Sequence, residues 1–368
     1  MSTKKDKFSK EDHYYMNLAL NLARERTGLT GENPSVGCVI VKNNEIISLG
    51  QTGINGRPHA EYNAIKASKK NLKDSKMYVT LEPCVHYGKT PPCTNVIIKN
   101  KIKEVIFSMI DVDIRSRRKS FKILKDNKIK VRFGLLSNIA KSIYKPYIYN
   151  KKNKLPFVTG KIVTSKDKFI FNSNKKKISN EYSNSFTHLL RYKNDSILVS
   201  SKTLNKDNSK LNCRLEGLEK YSPKKIILDK NLTIKKNLYL FKKSNLNNTI
   251  IFYNKTKKNK INFLRKKGIK LVKLNISNNN LFDLKLLLKK LYLLGCRNIL
   301  VEGGKFLSNS FISKKLFNQF YLIQSQKKLN KNAKINVSSE LKLLSFNYKN
   351  KIKLNTYTSN DIVYLYSN

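Results

Sequence analysis

Apolar residues recur at helical spacing from Met16 to Arg26, and Ser9 to Asp12 ahead of them offer a capping hydroxyl and acids for a first turn. The turn-rich stretch Thr27 to Ser35 leads into VGCVIVK and EIISLGQT, two runs joined by Asn43-Asn44 that read as a hairpin. Pro58 to Lys70 returns to helical spacing, and Lys76 to Leu81 (KMYVTL) reads as a short buried strand. Thr94 to Lys99 then predicts a helix, EVIFSMI a strand, SFKILKDN a helix and KIKVRF a strand. This alternation predicts a three-layer α/β domain.

Between Tyr144 and Pro156 two prolines and a polar run (YKPYIYNKKNKLP) break the periodicity and place a boundary near residue 150. Beyond it, PFVTGKIV, DSILVSS, KKIILD, NTIIFY and RNILVEGG are short β-branched runs, separated by polar segments and by the helical stretch LFDLKLLLKKLYLLG. They predict a second α/β domain around a largely parallel sheet. Residues 172–184, rich in Asn, Lys and Ser, predict a loop. The domains are read as 1–150 and 151–368, which suits a chain of 368 residues.

Lys plus Arg number 75 against 24 Asp plus Glu, a formal charge of +51. Only 11 of the 75 are Arg, and the lysines run through every part of the chain instead of clustering with aromatics as on an RNA-binding surface. The charge is therefore read as a bias of composition, with no specific nucleic-acid partner. No stretch approaches the ~20 apolar residues of a membrane span, and the opening MSTKKDKFSKEDHYY has no apolar signal core, so a cytoplasmic protein without a membrane partner is expected. A homo-oligomer is expected too. Cys38, Cys84, Cys93, Cys213 and Cys296 are an odd number for a disulfide framework, and a grouped pair among them points to a metal.

The grouped pair is Cys84 and Cys93, preceded by His59-Ala60-Glu61. One imidazole and two thiolates leave a fourth tetrahedral position of zinc open for water, whose pKa the ion lowers toward ~7. Glu61, close to the ligands without being one, can move protons between water and a substrate nitrogen. Positions i and i+2 of a helix lie about 200° apart, so His59 and Glu61 share one site only if the chain enters its helix there, as Pro58 suggests. Cys93, after Pro91-Pro92 at the mouth of the next helix, is expected to gain thiolate character. The set matches the known signature of zinc nucleobase deaminases, except that eight residues (VHYGKTPP) separate the cysteines in place of two.

HAE, then TLEPCVHYGKTPPCTNVI, with ENPSVGCVIV upstream and an α/β domain downstream, closely resembles the bifunctional riboflavin-biosynthesis deaminase-reductases of bacteria. The resemblance implies a cytidine-deaminase-like domain that deaminates a diaminopyrimidinone ribosylphosphate, followed by a dihydrofolate-reductase-like α/β domain that reduces the ribose with NADPH. It implies His59, Cys84 and Cys93 as Zn2+ ligands, Glu61 as proton shuttle, and Asn33, His86 and Lys89 as contacts to this small-molecule substrate. Asp111-Val-Asp-Ile-Arg115 departs from the family's Asp-Pro-Asn-Pro turn, so a different local loop is expected there.

In the second half, Lys161 to Asp167 resembles the start of the reductase domain, where a strand ends beside the nicotinamide and Val163 meets the cofactor. His188-Leu-Leu-Arg191, Asp195 to Ser200, Thr203 to Asp207, Leu211 and Arg214 follow the family's blocks in order. The resemblance implies that Arg191 and Arg214 hold the substrate phosphate through planar forks and that Leu211 and Glu302 contact substrate. It also sets Thr203 and Asp207 beside the cofactor, with Asp207 touching substrate as well. Ile299 to Gly304 reads as a buried strand entering a helix through Gly303 and Gly304, whose backbone can approach a cofactor phosphate, although such glycines also serve packing alone. Lys168, Lys177 and Lys305 stand where the family has small or apolar groups. Two other readings stay open: a deaminase that edits nucleic acid, and a deaminase with a degenerate reductase.

Overall fold

The computed structural model describes residues 8–174, 177–242, 246–256, 258–277 and 279–368. The chain divides into two compact units, Met1–Lys154 and Leu155–Asn368. Residues 1–7 of the opening segment and 175–176 of the expected loop lie outside the described residues.

In the first unit, α1 (Lys10–Glu25) starts on a capping box: Ser9 Oγ accepts from the Asp12 amide and the Asp12 carboxylate accepts from the Ser9 amide. The hairpin forms as β1 (Gly37–Lys42) and β2 (Glu45–Gln51), and Asn43 and Asn44 both take positive φ in its turn. With β3 (Lys76–Leu81), β4 (Glu104–Met109) and β5 (Lys130–Phe133) they make a sheet of order β2-β1-β3-β4-β5. β3, β4 and β5 run parallel, and β1 is antiparallel to β2 and β3. Every residue of β4 is buried, as a strand covered on both faces requires.

Five short helices complete this unit with α1: α2 (Ala60–Ala67), α3 (Cys93–Lys99), α4 (Lys119–Asp126), α5 (Ser137–Ile143) and α6 (Lys145–Asn153). A Cβ on Gly50 would stand 2.2 Å from the Ala60 carbonyl oxygen, so only glycine lets the start of α2 lie this close to β2. The stretch expected to break the first domain is α6. Pro146 sits in its first turn, where a missing N–H costs no hydrogen bond, so here the proline starts a helix.

The second unit has the expected runs as β6 (Phe157–Thr164), β8 (Ser196–Ser200), β9 (Lys224–Leu228), β10 (Thr249–Tyr253) and β12 (Asn298–Val301). Further strands are β7 (Phe169–Asn172), β11 (Lys270–Lys273), β13 (Gln319–Gln324), β14 (Ala333–Asn336), β15 (Asn350–Leu354) and β16 (Ile362–Ser367). The main sheet has the order β11-β10-β9-β8-β12-β6-β13-β16-β15, parallel from β11 to β13 and antiparallel beyond. β7 and β14 form a separate antiparallel pair. The connecting helices are α7 (Glu181–Tyr192), α8 (Ser201–Asp207), α9 (Lys258–Lys266), α10 (Leu284–Leu293), α11 (Lys305–Ser313) and α12 (Ser338–Asn347). α7 begins inside the stretch read as loop, capped by the Asn180 side chain.

One buried charge network fastens α1 to the first sheet. Arg132 donates to Asp12 at 2.8 Å and to Glu104 at 2.6 Å, and Tyr78 donates to Asp12 at 2.7 Å. Arg132→Met should leave Asp12 without a counter-charge and Glu104 with Lys130 at 3.7 Å, destabilising this unit by about 3 kcal/mol. Thermal unfolding of the full chain checks this, and an unchanged first transition would contradict it.

Candidate active sites

His59 caps α2 in extended conformation, so the helix begins one residue after it and the i, i+2 conflict disappears. Cys84 lies just past the end of β3 and Cys93 opens α3. His59 Nδ1 is 3.3 Å from Cys93 Sγ and 3.5 Å from Cys84 Sγ, and all three donor atoms lie within 4.8 Å of one another. Bonds of ~2.3 Å to sulfur and ~2.0 Å to nitrogen on a tetrahedron put neighbouring N and S ligands about 3.5 Å apart, so this donor set fits zinc. Without a cation between them, the two sulfurs share one proton: bonds from Cys93 and His59 draw Cys84 down to about 4, while the bond to Cys84 first and burial next push Cys93 up. Two sulfurs this close ionise together only when a cation joins them.

Glu61 faces the same cavity, of about 530 Å³, and burial first and Cys84 next push its carboxyl up to about 7. Asn33, His86 and Lys89 line that cavity. Asn33 is oriented by a 3.0 Å bond from Nδ2 to the Gly56 carbonyl, and His86 Nδ1 lies 3.1 Å from Ser116 Oγ. Among the lining residues not singled out as site residues from sequence are Glu82, Asp111, Asp113, Arg115, Tyr147 and Lys151. Tyr147 donates to Asp111 at 3.0 Å, and Lys151 and Arg115 hold Asp113 at 2.8 and 2.6 Å. Tyr147 and Lys151 belong to α6, and the polar run there masked the helix.

The second unit has its own cavity, of about 420 Å³, at the carboxyl ends of β6, β8 and β12. Open α/β sheets bind ligands at such edges. Val163, Thr203, Asp207, Leu211, Glu302, Gly303 and Gly304 all line it. Burial raises the Asp207 carboxyl, and adjacent Lys206 opposes that rise. Arg191 lines the cavity too, but its fork is spent internally: Nε and Nη2 donate to Glu302 at 2.7 and 3.0 Å, and Nη1 to the Asn212 carbonyl at 3.1 Å. The expected two-pronged grip on phosphate is thus turned onto a carboxylate. Arg214 is not brought to the cavity; it is exposed and bonds Asn212 Oδ1 at 2.8 Å.

Lys161, quoted within a motif but given no role from sequence, is the residue missed here. Its Nζ lies 3.0 Å from Glu302 Oε2 on the cavity wall, largely enclosed, and burial lowers its pKa despite the carboxylate. A lysine inside an otherwise apolar strand, KIVT, is the signal that marks it. The three intruding lysines leave the cavity open. Lys168 sits in the left-handed turn at φ 64°, Lys177 is exposed, and Lys305 is held by the Asn336 carbonyl at 3.0 Å and Glu340 at 3.4 Å.

A three-ligand zinc site with a buried acid in a mixed five-stranded domain, followed by a mainly parallel sheet with its own cavity, defines a zinc deaminase joined to a reductase. Residues 9–109 match the cytidine and deoxycytidylate deaminase zinc-binding region, and residues 156–352 match the RibD C-terminal domain. The chain is 32% identical over 318 residues to the riboflavin biosynthesis protein RibD of Aquifex aeolicus, covering 86% of this chain and 87% of that one. It is also 32% identical over 314 residues to RibD of Chlamydia trachomatis, covering 84% and 83%. Among solved structures, Acinetobacter baumannii RibD has the same fold at 24% identity, with a TM-score of 0.82 over 97% of this chain and 99% of that one. A Thermotoga maritima diaminohydroxyphosphoribosylaminopyrimidine deaminase/5-amino-6-(5-phosphoribosylamino)uracil reductase matches at 26% identity and TM-score 0.80, over 97% and 98%. The chain belongs to the RibD family of riboflavin biosynthesis proteins.

His188 lies behind the second cavity, its Nδ1 3.1 Å from the Asn212 carbonyl, and burial first, then Arg191 and Arg214, hold it down at about 4. The unfolded chain therefore takes up this proton first, near pH 6.5, and stability is lost as pH falls from there to about 4. His188→Gln should gain on the wild type by about 1–2 kcal/mol between pH 7 and pH 4, the partly solvated ring giving less than full conversion. Denaturant unfolding of the second unit at both pH values checks this; a pH-independent difference would contradict it.

Proposed function

We propose that this chain catalyses two consecutive steps of riboflavin biosynthesis: hydrolytic deamination of a diaminopyrimidinone ribosylphosphate in the first unit, and reduction of its ribosyl group to ribityl in the second. The observation that carries the reading is the cluster of His59, Cys84 and Cys93 beside Glu61 at one cavity of a chain whose second cavity joins Lys161, Glu302, Thr203 and Gly304.

When bound by His59, Cys84 and Cys93, zinc supplies Lewis-acid activation of water. Glu61, with its pKa raised to about 7, accepts the proton of that water and returns it to the nitrogen that leaves as ammonia. Asn33 and His86 orient the pyrimidine. Lys89, Arg115 and Lys151 give the cavity wall the positive charge a ribosylphosphate requires. The partner is a small molecule enclosed by this cavity.

NADPH supplies the hydride of the second step, with Val163, Thr203 and the Gly303-Gly304 turn as its contacts. Lys161 is the proton donor as hydride reaches the sugar carbon. Its ammonium is buried and its pKa lowered, and Glu302 fixes its position. Asp207 and Leu211 contact the sugar, and Arg191 acts through Glu302.

Purified, zinc-loaded protein should release ammonia from the pyrimidine ribosylphosphate and then oxidise NADPH. Cys84→Ala and Cys93→Ala should each lose the metal, and full zinc occupancy in both would overturn the ligand assignment. Glu61→Gln should keep zinc and lose at least ~100-fold in deamination, while still oxidising NADPH with already deaminated substrate. Lys161→Met should do the reverse, losing ~100-fold in NADPH oxidation with ammonia release intact. Either variant at wild-type rate would mean that another group carries the proton.

A further inference from the structure

The segment from Asp111 to Ser120, between β4 and α4, places Asp111, Asp113 and Arg115 on the wall of the deaminase cavity. Its sequence, DVDIRSRRKS, has few apolar side chains to pack, so its course must be set from outside. Glu82 sets it. This residue follows β3, stands two positions before Cys84, and is buried. Its Oε2 accepts from the amides of Asp111 at 3.1 Å and Arg118 at 3.0 Å, and its Oε1 from the amide and hydroxyl of Ser120 at 3.2 and 2.9 Å. Among the described residues no lysine or arginine side chain pairs with it. Three amides and one hydroxyl satisfy the carboxylate, and the amides come from both ends of the segment. Between those ends, Ser116 Oγ meets His86 Nδ1 on the loop that carries the zinc cysteines.

We propose that Glu82 is a positioning residue for deamination: it locks the Asp111–Ser120 segment against the Cys84–Cys93 loop, so that the cavity presents a preformed wall to the ribosylphosphate half of the substrate. This rests on the deaminase reading of the first unit. Glu82 borders the cavity, but both of its oxygens are taken up by the segment's donors, so it acts through Asp111, Asp113, Arg115 and Ser116. A carboxylate without a counter-ion is retained there because only its two oxygens can draw in four donors at once. Glutamine would turn an N–H group toward one pair of donors, and alanine would leave three amides without acceptors, those of Asp111 and Ser120 in buried residues.

The full-length, zinc-loaded protein carries internal controls for the test. Metal content reports the state of the zinc site, and NADPH oxidation with deaminated substrate reports the other unit. Glu82→Gln should raise the deaminase KM about ten-fold with a smaller change in kcat, and should weaken competitive inhibition by ribose 5-phosphate in parallel, at unchanged zinc content. Ser120→Ala, which removes one of the four bonds, should shift KM in the same direction by a smaller factor, and it keeps the test valid if Glu82 variants fold poorly. Deaminase KM within two-fold of wild type in both variants would overturn the proposal. So would a loss of zinc in step with activity, which would make Glu82 part of the metal site's scaffold. Absence of ammonia release by the wild type would instead refute the deaminase reading itself.

Discussion

A carboxylate buried at the end of a strand must gather donors, and that requirement organises both cavities. Glu82 follows the last residue of β3 and Glu302 the last residue of β12. Each donates its own amide to a neighbouring strand, to the Met109 and Leu198 carbonyls. The two side chains are then satisfied by opposite means. Glu82 takes backbone amides and a hydroxyl, so it fixes the course of a loop. Glu302 takes Lys161 and Arg191, so it fixes two cations at the edge of a cavity and is itself held far below the ordinary carboxylate range. An amide cannot follow a carboxylate that moves without moving the chain, whereas a side-chain cation can rotate away. The first arrangement shapes a wall and the second holds a reactive group.

The pattern of the sequence exposed the elements whose burial is uniform and hid those whose contacts are long-range. β3 was read to the residue because, after exposed Lys76, MYVTL is an unbroken buried run. The zinc set was legible because its residue types are rare here, with 4 His and 5 Cys in the whole chain. α6 was missed because Pro146 and the lysines around it look like a linker, and nothing local says that Tyr147 and Lys151 reach Asp111 and Asp113. Arg191 was read as a phosphate fork because its partner Glu302 lies 111 positions away. Local spacing carries the period of an element, but not the partner that an ionic side chain meets across the fold.

Charge is divided by chemistry between the two basic residue types. Lysine outnumbers arginine almost six to one, yet the ion pairs with buried carboxylates draw heavily on arginine: Arg132 with Asp12 and Glu104, Arg191 with Glu302, Arg115 with Asp113. A guanidinium offers two parallel N–H bonds, loses less hydration on burial and does not release its proton, which suits a fixed joint. Lys202 and Lys206, which line the second cavity, form no ion pair among the described residues and rest on the rings of Phe306 and Phe171, with Lys206 also acting on the adjacent Asp207. With the Arg191 fork committed inward, these ammonium groups carry the positive charge facing outward there.

Lysines also reach buried carboxylates, Lys130 at Glu104, Lys151 at Asp113 and Lys305 at Glu340, but Lys161 is the most enclosed of them. It is largely enclosed, faces Glu302 beside Arg191, and has its pKa lowered where an arginine's would stay high. A joint needs no such residue, since arginine at this place would pair with Glu302 more firmly. What lysine adds is a proton that can leave, made easier to lose by burial and by the neighbouring guanidinium, while the carboxylate stops the group from being neutral throughout. The same triad thus contains a cation that cannot titrate and one that can, and only the second has a use in a reduction that must deliver a proton along with a hydride.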